Sequence, residues 1–302
     1  MSHADCSEHH PGELHPESPD RLDAIRDHLI SMRVIDMLVE RDAPEVTREQ
    51  LERVHDGQYL DELETLQPSE GLKSIDPDTW LSPATLAAAR RAAGAAVEGV
   101  DLVMSGETDR VFCGVRPPGH HAESNRAMGF CFYNNIAVAA AHAIKVYKVK
   151  RVAIVDFDAH WGNGTDQIFA KQKKVGIFAS FEDHLFPDGD VPSVPGRIHN
   201  VALPPGASSQ EMRHAWHDEL WPALDAFKPQ LILVSAGFDG HREDDISHLR
   251  FSDEDYTWLT DHIVDIAEKH AKGRIVSLLE GGYALPALGR SVALHLKALL
   301  GE

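Results

Sequence analysis

Five short apolar runs, Val111–Val115, Val152–Val155, Val175–Ser180, Leu231–Ser235 and Arg274–Leu279, constrain the fold of this chain more than any other feature. Runs of this length, rich in β-branched residues, form strands that are buried on both faces. Helix-like sequence lies between most of them, at Asn134–Tyr147, Ser209–Phe227 and Ser252–His270, and earlier at Pro19–Val39 and Pro83–Met104. Ser209 and Ser252 are placed to cap their helices, with acidic residues close behind. Strands alternating with helices predict an α/β fold, a three-layer, doubly wound, mostly parallel sheet with helices on both sides. No repeat, low-complexity tract or linker interrupts the pattern, so one catalytic domain over residues 1–302 is expected.

The residues just beyond each run matter more than the runs themselves. Val111–Val115 leads into Arg-Pro-Pro-Gly-His120-His121, and Val152–Val155 into Asp156-Phe-Asp158-Ala-His160. Leu231–Ser235 runs on into Ala-Gly-Phe-Asp239, and the last run into Glu280-Gly-Gly-Tyr283. A parallel sheet gathers the carboxyl ends of its strands on one edge, where ligands bind. Four chemically loaded loops would therefore meet there. If the chain stays extended past Val155, the spacing of two turns Asp156, Asp158 and His160 to one side, as a divalent-metal cradle would require. Asp158, His160 and Asp239 would supply three ligands and leave a position open. His120 or His121 would act as general base beside an activated water, and the Tyr283 hydroxyl would face a developing oxyanion. Each piece alone has an ordinary explanation, such as a packed His pair or a capped turn. Their common order along one sheet edge does not.

Composition narrows the rest. The formal net charge of −19 argues against nucleic-acid binding and is compatible with cationic partners such as lysine-rich peptides or polyamines. No apolar run is long enough to span a membrane, and the His-rich start of the chain reads as a solvated terminus, not a signal peptide. Cys6, Cys113 and Cys131 form no CxxC pair, which points to a reducing cytoplasm.

The ordered motifs closely resemble the zinc-dependent histone deacetylase family, of arginase/deacetylase fold. They are His15-Pro-Glu-Ser-Pro-Asp-Arg21, Arg116-Pro-Pro-Gly-His-His-Ala122, Gly129-Phe-Cys-Phe-Tyr-Asn-Asn135, Asp156-Phe-Asp-Ala-His160, Gly162-Asn-Gly-Thr165, Ala236-Gly-Phe-Asp239 and Glu280-Gly-Gly-Tyr283. Asn163, where class I members carry Asp, gives the resemblance a class II-like, bacterial flavour. The resemblance implies a zinc amidohydrolase that removes acetyl or other acyl groups from lysine. Asp158, His160 and Asp239 would be the zinc ligands and His121 the proton shuttle. His120 would be its electrostatic partner, and Tyr283 the oxyanion stabiliser. Asp156 would then accept from His120, and Asn163 would orient His121. Gly129, Phe130 and Phe186, with Ile246 at the rim, resemble the walls of an acyl-lysine tunnel. The family also implies a structural potassium ion held by oxygens of Asp156, Asp158, His160, Ser180 and Phe181.

Some positions depart from the family. Trp161 stands where a second His is usual. Ser180–Phe186 is short, with Glu182 where His is common, and the opening strand is expected to be short or absent. Acetylpolyamine deacetylase is the alternative reading, to which the acidic Asp244 and Asp245 beside Ile246 contribute. An arginase-like two-metal centre ranks lower, because Gly162 stands where its further carboxylate is needed. A non-catalytic acyl-lysine binder also ranks lower, because no ligand, base or tyrosine is lost. Two carboxylates and one imidazole accept zinc or iron, and a homo-oligomer is compatible with the sequence.

Overall fold

The apolar runs become strands of one six-stranded sheet in the computed structural model, which describes residues 1–302. A small antiparallel hairpin comes first, β1 (Lys73–Ser74) with β2 (Trp80–Leu81). The main sheet holds β3 (Arg110–Cys113), β4 (Val152–Asp156), β5 (Val175–Glu182), β6 (Ile198–Leu203), β7 (Leu231–Ala236) and β8 (Ile275–Leu279). The strand order is β3-β8-β7-β4-β5-β6, and every pairing is parallel.

Alternation along the strands divides the interior into two cores. Val152, Ile154, Leu231 and Leu233 face one, while Ala153, Val155, Ile232 and Val234 face the other. Helices Thr85–Ser105 and Asn135–Val146 close the first core. The second is closed by Asp20–Ser31, Ser209–Phe227, Asp253–Ile266 and Leu285–Leu300. This is the expected three-layer α/β fold. No helix is long and apolar enough to cross a membrane.

The strand order also locates the site. From β4 the chain winds outward through β5 to β6, whereas β7 and β8 lie on the other side of β4, towards β3. The order therefore reverses between β4 and β7, a topological switch point, where a crevice opens beyond the carboxyl ends. Asp158 and His160 follow β4, and Asp239 follows β7.

Several elements differ from the sequence expectation. Strand β6 was not anticipated: it is an edge strand, and its sequence Ile198-His-Asn-Val-Ala-Leu203 mixes polar with apolar residues, which hides the buried-strand signal. Strand β3 ends at Cys113, short of Val115. Helices Gly57–Leu66 and Leu285–Leu300 were also missed, although Pro286 in the first turn and a left-handed Gly301 after the end mark the second. The 209–227 segment includes a π-helical turn, Trp216–Leu220, and the 252–270 segment runs into another, Ala267–Ala271, that ends one residue beyond it. Ser208, not Ser209, caps the first: its hydroxyl accepts from Gln210 N–H while Glu211 accepts from Ser208 N–H at 2.9 Å. Ser252 occupies the cap of the second as expected. The first residues form no strand; Ser2 makes a single bridge to Asp42, and the Met1 amino group donates to Phe112 O on β3.

His295 is wholly buried between Thr260 Oγ1 at 2.6 Å and Ser277 Oγ at 2.9 Å, and burial pushes its pKa down to about 3. The unfolded chain takes up this proton near pH 6.5, the folded chain only near 3, so the contribution to stability is complete above about pH 6.5 and is lost as pH falls. Between pH 4 and 6, unfolding free energy is expected to fall faster in wild type than in His295→Gln, by up to about 1.4 kcal/mol per pH unit. Denaturant titrations of both proteins across this range check it; parallel slopes would contradict it.

Candidate active site

Strand β4 ends at Asp156, and the chain then turns instead of staying extended. Asp156 Oδ1 accepts from Asp158 N–H at 3.1 Å, and Asp158 Oδ1 accepts from His160 N–H at 2.9 Å. Successive carboxylate-to-backbone turns of this kind set the three directions. They separate the side chains that the spacing of two suggested would converge: Asp156 turns to His120, 3.1 Å from Nδ1, while Asp158 and His160 meet Asp239.

Ligand atoms of Asp158, His160 and Asp239 lie within 4.8 Å of one another. His160 Nδ1 stands 3.0 Å from Asp158 Oδ1 and 3.0 Å from Asp239 Oδ2. Asp239 Oδ1 accepts from Ala159 N–H at 2.9 Å, but its Oδ2 is buried without a hydrogen-bond partner. Burial and the neighbouring Asp158 charge push the Asp239 carboxyl up to about 6. Asp158 is held low: burial opposes its charge, but His120 and His160 outweigh it. Burial likewise opposes charge on His160, yet the two carboxylates push that imidazole up to about 10. Two buried carboxylates and one imidazole facing a common point, with one oxygen unpartnered, fit a divalent cation of borderline hardness. Gly281 keeps the point clear, since a Cβ there would stand 2.7 Å from Asp158 Oδ2.

The two histidines differ in charge because their partners differ. His120 faces Asp158 and Asp156; burial opposes its protonation, but these carboxylates push it up to about 10. His121 is held well below the usual imidazole range, first by burial and then by the neighbouring His120 and His160. Its partner is neutral, Asn163 Oδ1 at 2.9 Å from Nδ1. Asn163 Nδ2 donates to Glu123 Oε1 at 3.0 Å, which fixes the carboxamide with its oxygen towards His121. His121 therefore carries its proton on Nδ1 and leaves Nε2 with a free lone pair.

A cavity of about 230 Å³ joins His120, His121, Asp158 and His160 to Gly129, Phe130, Phe186, Ile246 and Tyr283. The His121 and Phe186 rings are 5.1 Å apart, and Phe130 and Tyr283 are 5.9 Å apart, both edge to face. At Gly129, with φ +55°, a Cβ would stand 2.8 Å from the Phe186 ring. Burial, aided by Asp239 and Asp158, pushes the Tyr283 phenol well up, so it stays an O–H donor. Arg21 lies over the Tyr283 ring at 4.8 Å. All the residues expected at the site from sequence except Asn163, Asp239, Asp156, Ser180 and Phe181 line this cavity, and Asp239, Asp156 and Asn163 contact lining residues.

Other residues that the sequence singled out gave no sign there of what they hold in place. Glu280, fully buried and pushed up to about 7 by burial, accepts from Gly119 N–H at 2.7 Å and His120 N–H at 3.1 Å, holding the histidine loop. Asp244 is buried, and its carboxylate accepts from Tyr283, Ala284 and Ile246 N–H groups at 2.6, 3.0 and 3.2 Å. That engagement removes Asp244 as a free acid at the rim. Glu182 closes β5 and is buried, accepting from His248 N–H at 2.6 Å. Trp161 Nε1 donates to Asp166 at 2.5 Å, and its ring packs against Gly189.

The description "Histone deacetylase domain" belongs to the family model that matches residues 15–299. The chain belongs to the histone deacetylase family. A histone deacetylase-like amidohydrolase of Pseudomonas aeruginosa is 36% identical over 277 residues, covering 89% of this chain and 73% of its own length. A type-2 histone deacetylase of Dictyostelium discoideum is 34% identical across 99% of this chain, which spans only 20% of that longer protein. The crystal structure of the HDA15 HD domain superposes with a TM-score of 0.91 at 32% identity, covering all of this chain and 88% of the other. The histone deacetylase fold, with its parallel sheet and flanking helices, is thus this chain's fold.

Proposed function

We propose that this deacetylase-family chain is a zinc-dependent amidohydrolase that removes acetyl or other acyl groups from lysine side chains. What supports it is the meeting, in one narrow cavity, of a neutral imidazole with a free Nε2, a protonated phenol and a carboxylate–imidazole–carboxylate cradle. The Phe130 and Phe186 rings would grip an aliphatic stem. A divalent ion held by Asp158, His160 and Asp239, zinc in this reading, supplies a water pKa lowered towards 7 and a polarised acyl oxygen. His121 Nε2 takes the proton of the water that attacks the acyl carbon, and Asn163 holds the ring in that tautomer. Tyr283 O–H donates to the acyl oxygen as it gains charge. His120, charged against Asp156, stays a fixed cation beside the reacting atoms. When the C–N bond breaks, His121 returns its proton to the departing lysine amine, and the carboxylate leaves.

A structural potassium ion at Asp156, Asp158, His160, Ser180 and Phe181 belongs to the same reading. Asp156 pairs with Ala179 across β4 and β5, which sets Ser180 and Phe181 alongside the start of the metal loop. A single catalytic unit over residues 1–302 in a reducing cytoplasm, consistent with three buried free cysteines, completes it. An apolar Ile246 at the rim, with Asp244 turned inward, favours acyl-lysine over acetylpolyamines.

Acetate release by metal-stripped protein, with and without stoichiometric zinc, tests this on an acetyl-lysine peptide and on acetylated polyamines. Zinc-dependent release with a higher kcat/KM for the peptide is expected. A large polyamine advantage would overturn the lysine reading, and release without metal would overturn the mechanism.

A further inference from the structure

Beside the tunnel mouth lies a second, shallower basin of about 420 Å³, lined by Pro205, Gly206, Arg242, Ser247, His248 and Arg250 together with Asp244. It shares one turn with the tunnel, because Ile246 lines the tunnel wall and Ser247 the basin. Its charge is unusual for this protein. Acidic residues outnumber Lys and Arg by 48 to 29, and almost every arginine is engaged. Nearby, Arg290 pairs with Glu243 and Asp253, and Arg213 with Asp255. Arg151 and Arg197 donate to backbone carbonyls. Arg242, Arg250 and Arg274 alone make neither ion pair nor side-chain hydrogen bond, and Arg274 sits at the opposite, amino end of β8.

Both of the free guanidinium groups at the carboxyl edge therefore face the same basin. Their backbones are fixed even though their side chains are exposed. Arg242 N–H donates to Phe251 O at 2.9 Å, and Arg250 N–H to Ala207 O at 2.9 Å. The acid that lines the basin and the one that touches its lining are already engaged: Asp244 by three backbone N–H groups, and Glu182 by His248 at 2.7 Å. Asp245 is exposed on the same turn but lines neither basin nor tunnel. Two planar, permanently charged donors without an internal partner suit a carboxylate from outside, bound through the guanidinium fork.

We infer that this basin is a substrate-selecting subsite that receives an acidic side chain of the acylated polypeptide, a few residues from the acyl-lysine. The inference rests on the acyl-lysine reading above and deepens it. The tunnel takes the acyl-lysine stem, and Arg242 and Arg250 select the acidic context of the chain that carries it. An extended substrate advances about 3.3 Å per residue, so three residues on either side of the lysine sweep roughly 10 Å around the tunnel mouth.

The test compares acetyl-lysine peptides with Asp scanned through those positions, matched Ala and Lys peptides, and a minimal acetyl-lysine amide without flanking residues. At one or two positions Asp is expected to raise kcat/KM about tenfold over Ala, mostly through KM, with the gain shrinking as salt rises. Arg242→Ala with Arg250→Ala should abolish the gain, and the paired Glu variants should favour the Lys peptides instead. The minimal amide should be turned over within about twofold of wild type by all of these variants, which separates a lost subsite from a damaged fold. Inorganic phosphate should raise KM for the Asp peptide and leave the minimal amide unaffected.

No Asp advantage in wild type, or an advantage that survives the double Ala variant, overturns the inference. So does phosphate binding without an Asp advantage, which would make the basin a free-anion site. If the minimal amide is not hydrolysed at all, the failure belongs to the proposed activity. The subsite is then read by fluorescence anisotropy of the same labelled peptides, where equal binding of Asp and Ala peptides overturns it.

Discussion

Replacing Asp239 by alanine is expected to strip the centre of its metal. Protein prepared with stoichiometric zinc should retain on the order of a tenth of an ion per chain or less after dialysis, because even removing an outer partner of a metal ligand costs 10–100-fold in affinity. The side chain contributes one backbone hydrogen bond, from Ala159, and one buried oxygen, Oδ2, that makes no hydrogen bond although His160 Nδ1 stands 3.0 Å away. An oxygen left bare at complete burial is destabilising unless something outside the chain satisfies it. Apo wild type should therefore melt at a lower temperature than the zinc-loaded form, and zinc should shift the melting temperature of Asp239→Ala little. Asp239→Asn serves as control, since its carboxamide oxygen can still accept from Ala159 N–H. Stoichiometric zinc retained by Asp239→Ala, measured by elemental analysis, would remove this residue from the ligand set.

What the sequence revealed and what it hid have physical causes. The strands of the sheet interior were legible because burial on both faces leaves continuous apolar runs such as Val152–Val155 and Leu231–Ala236. Strand β6 was hidden because an edge strand tolerates His199 and Asn200 among its apolar residues. Loops that carry the chemistry announced themselves by composition, but their geometry did not follow from spacing. The Asp156-x-Asp158-x-His160 pattern reads as three side chains on one face of a strand. The strand stops at Asp156, and two carboxylate-to-backbone turns send Asp156 to His120 and the other two to Asp239. Residues that position others were the least legible. Glu280 supports a loop 160 residues away in the chain, and Asp244 one 39 away, and no local pattern encodes contacts at that separation.

Tyr283→Phe is expected to lower kcat by 10²- to 10³-fold, about 2.7–4 kcal/mol, with little change in KM, as for deletion of one oxyanion donor. The variant keeps the ring against Phe130 and under Arg21, so its melting temperature should match wild type and isolate the hydroxyl. A phenol that donates only as charge develops should be missed in the transition state and not in the ground state. Near-wild-type kcat would refute the role. The same variant shows whether Asp244 acts through Tyr283. Asp244 grips the Tyr283 and Ala284 N–H groups, so Asp244→Ala should release the loop and lower kcat by misplacing the hydroxyl. Once the hydroxyl is gone, its placement no longer matters. In the Tyr283→Phe background, removing Asp244 should cost kcat little, whereas a merely structural carboxylate would cost the same in both backgrounds. Additive losses across that cycle would mean Asp244 supports the fold and not the tyrosine.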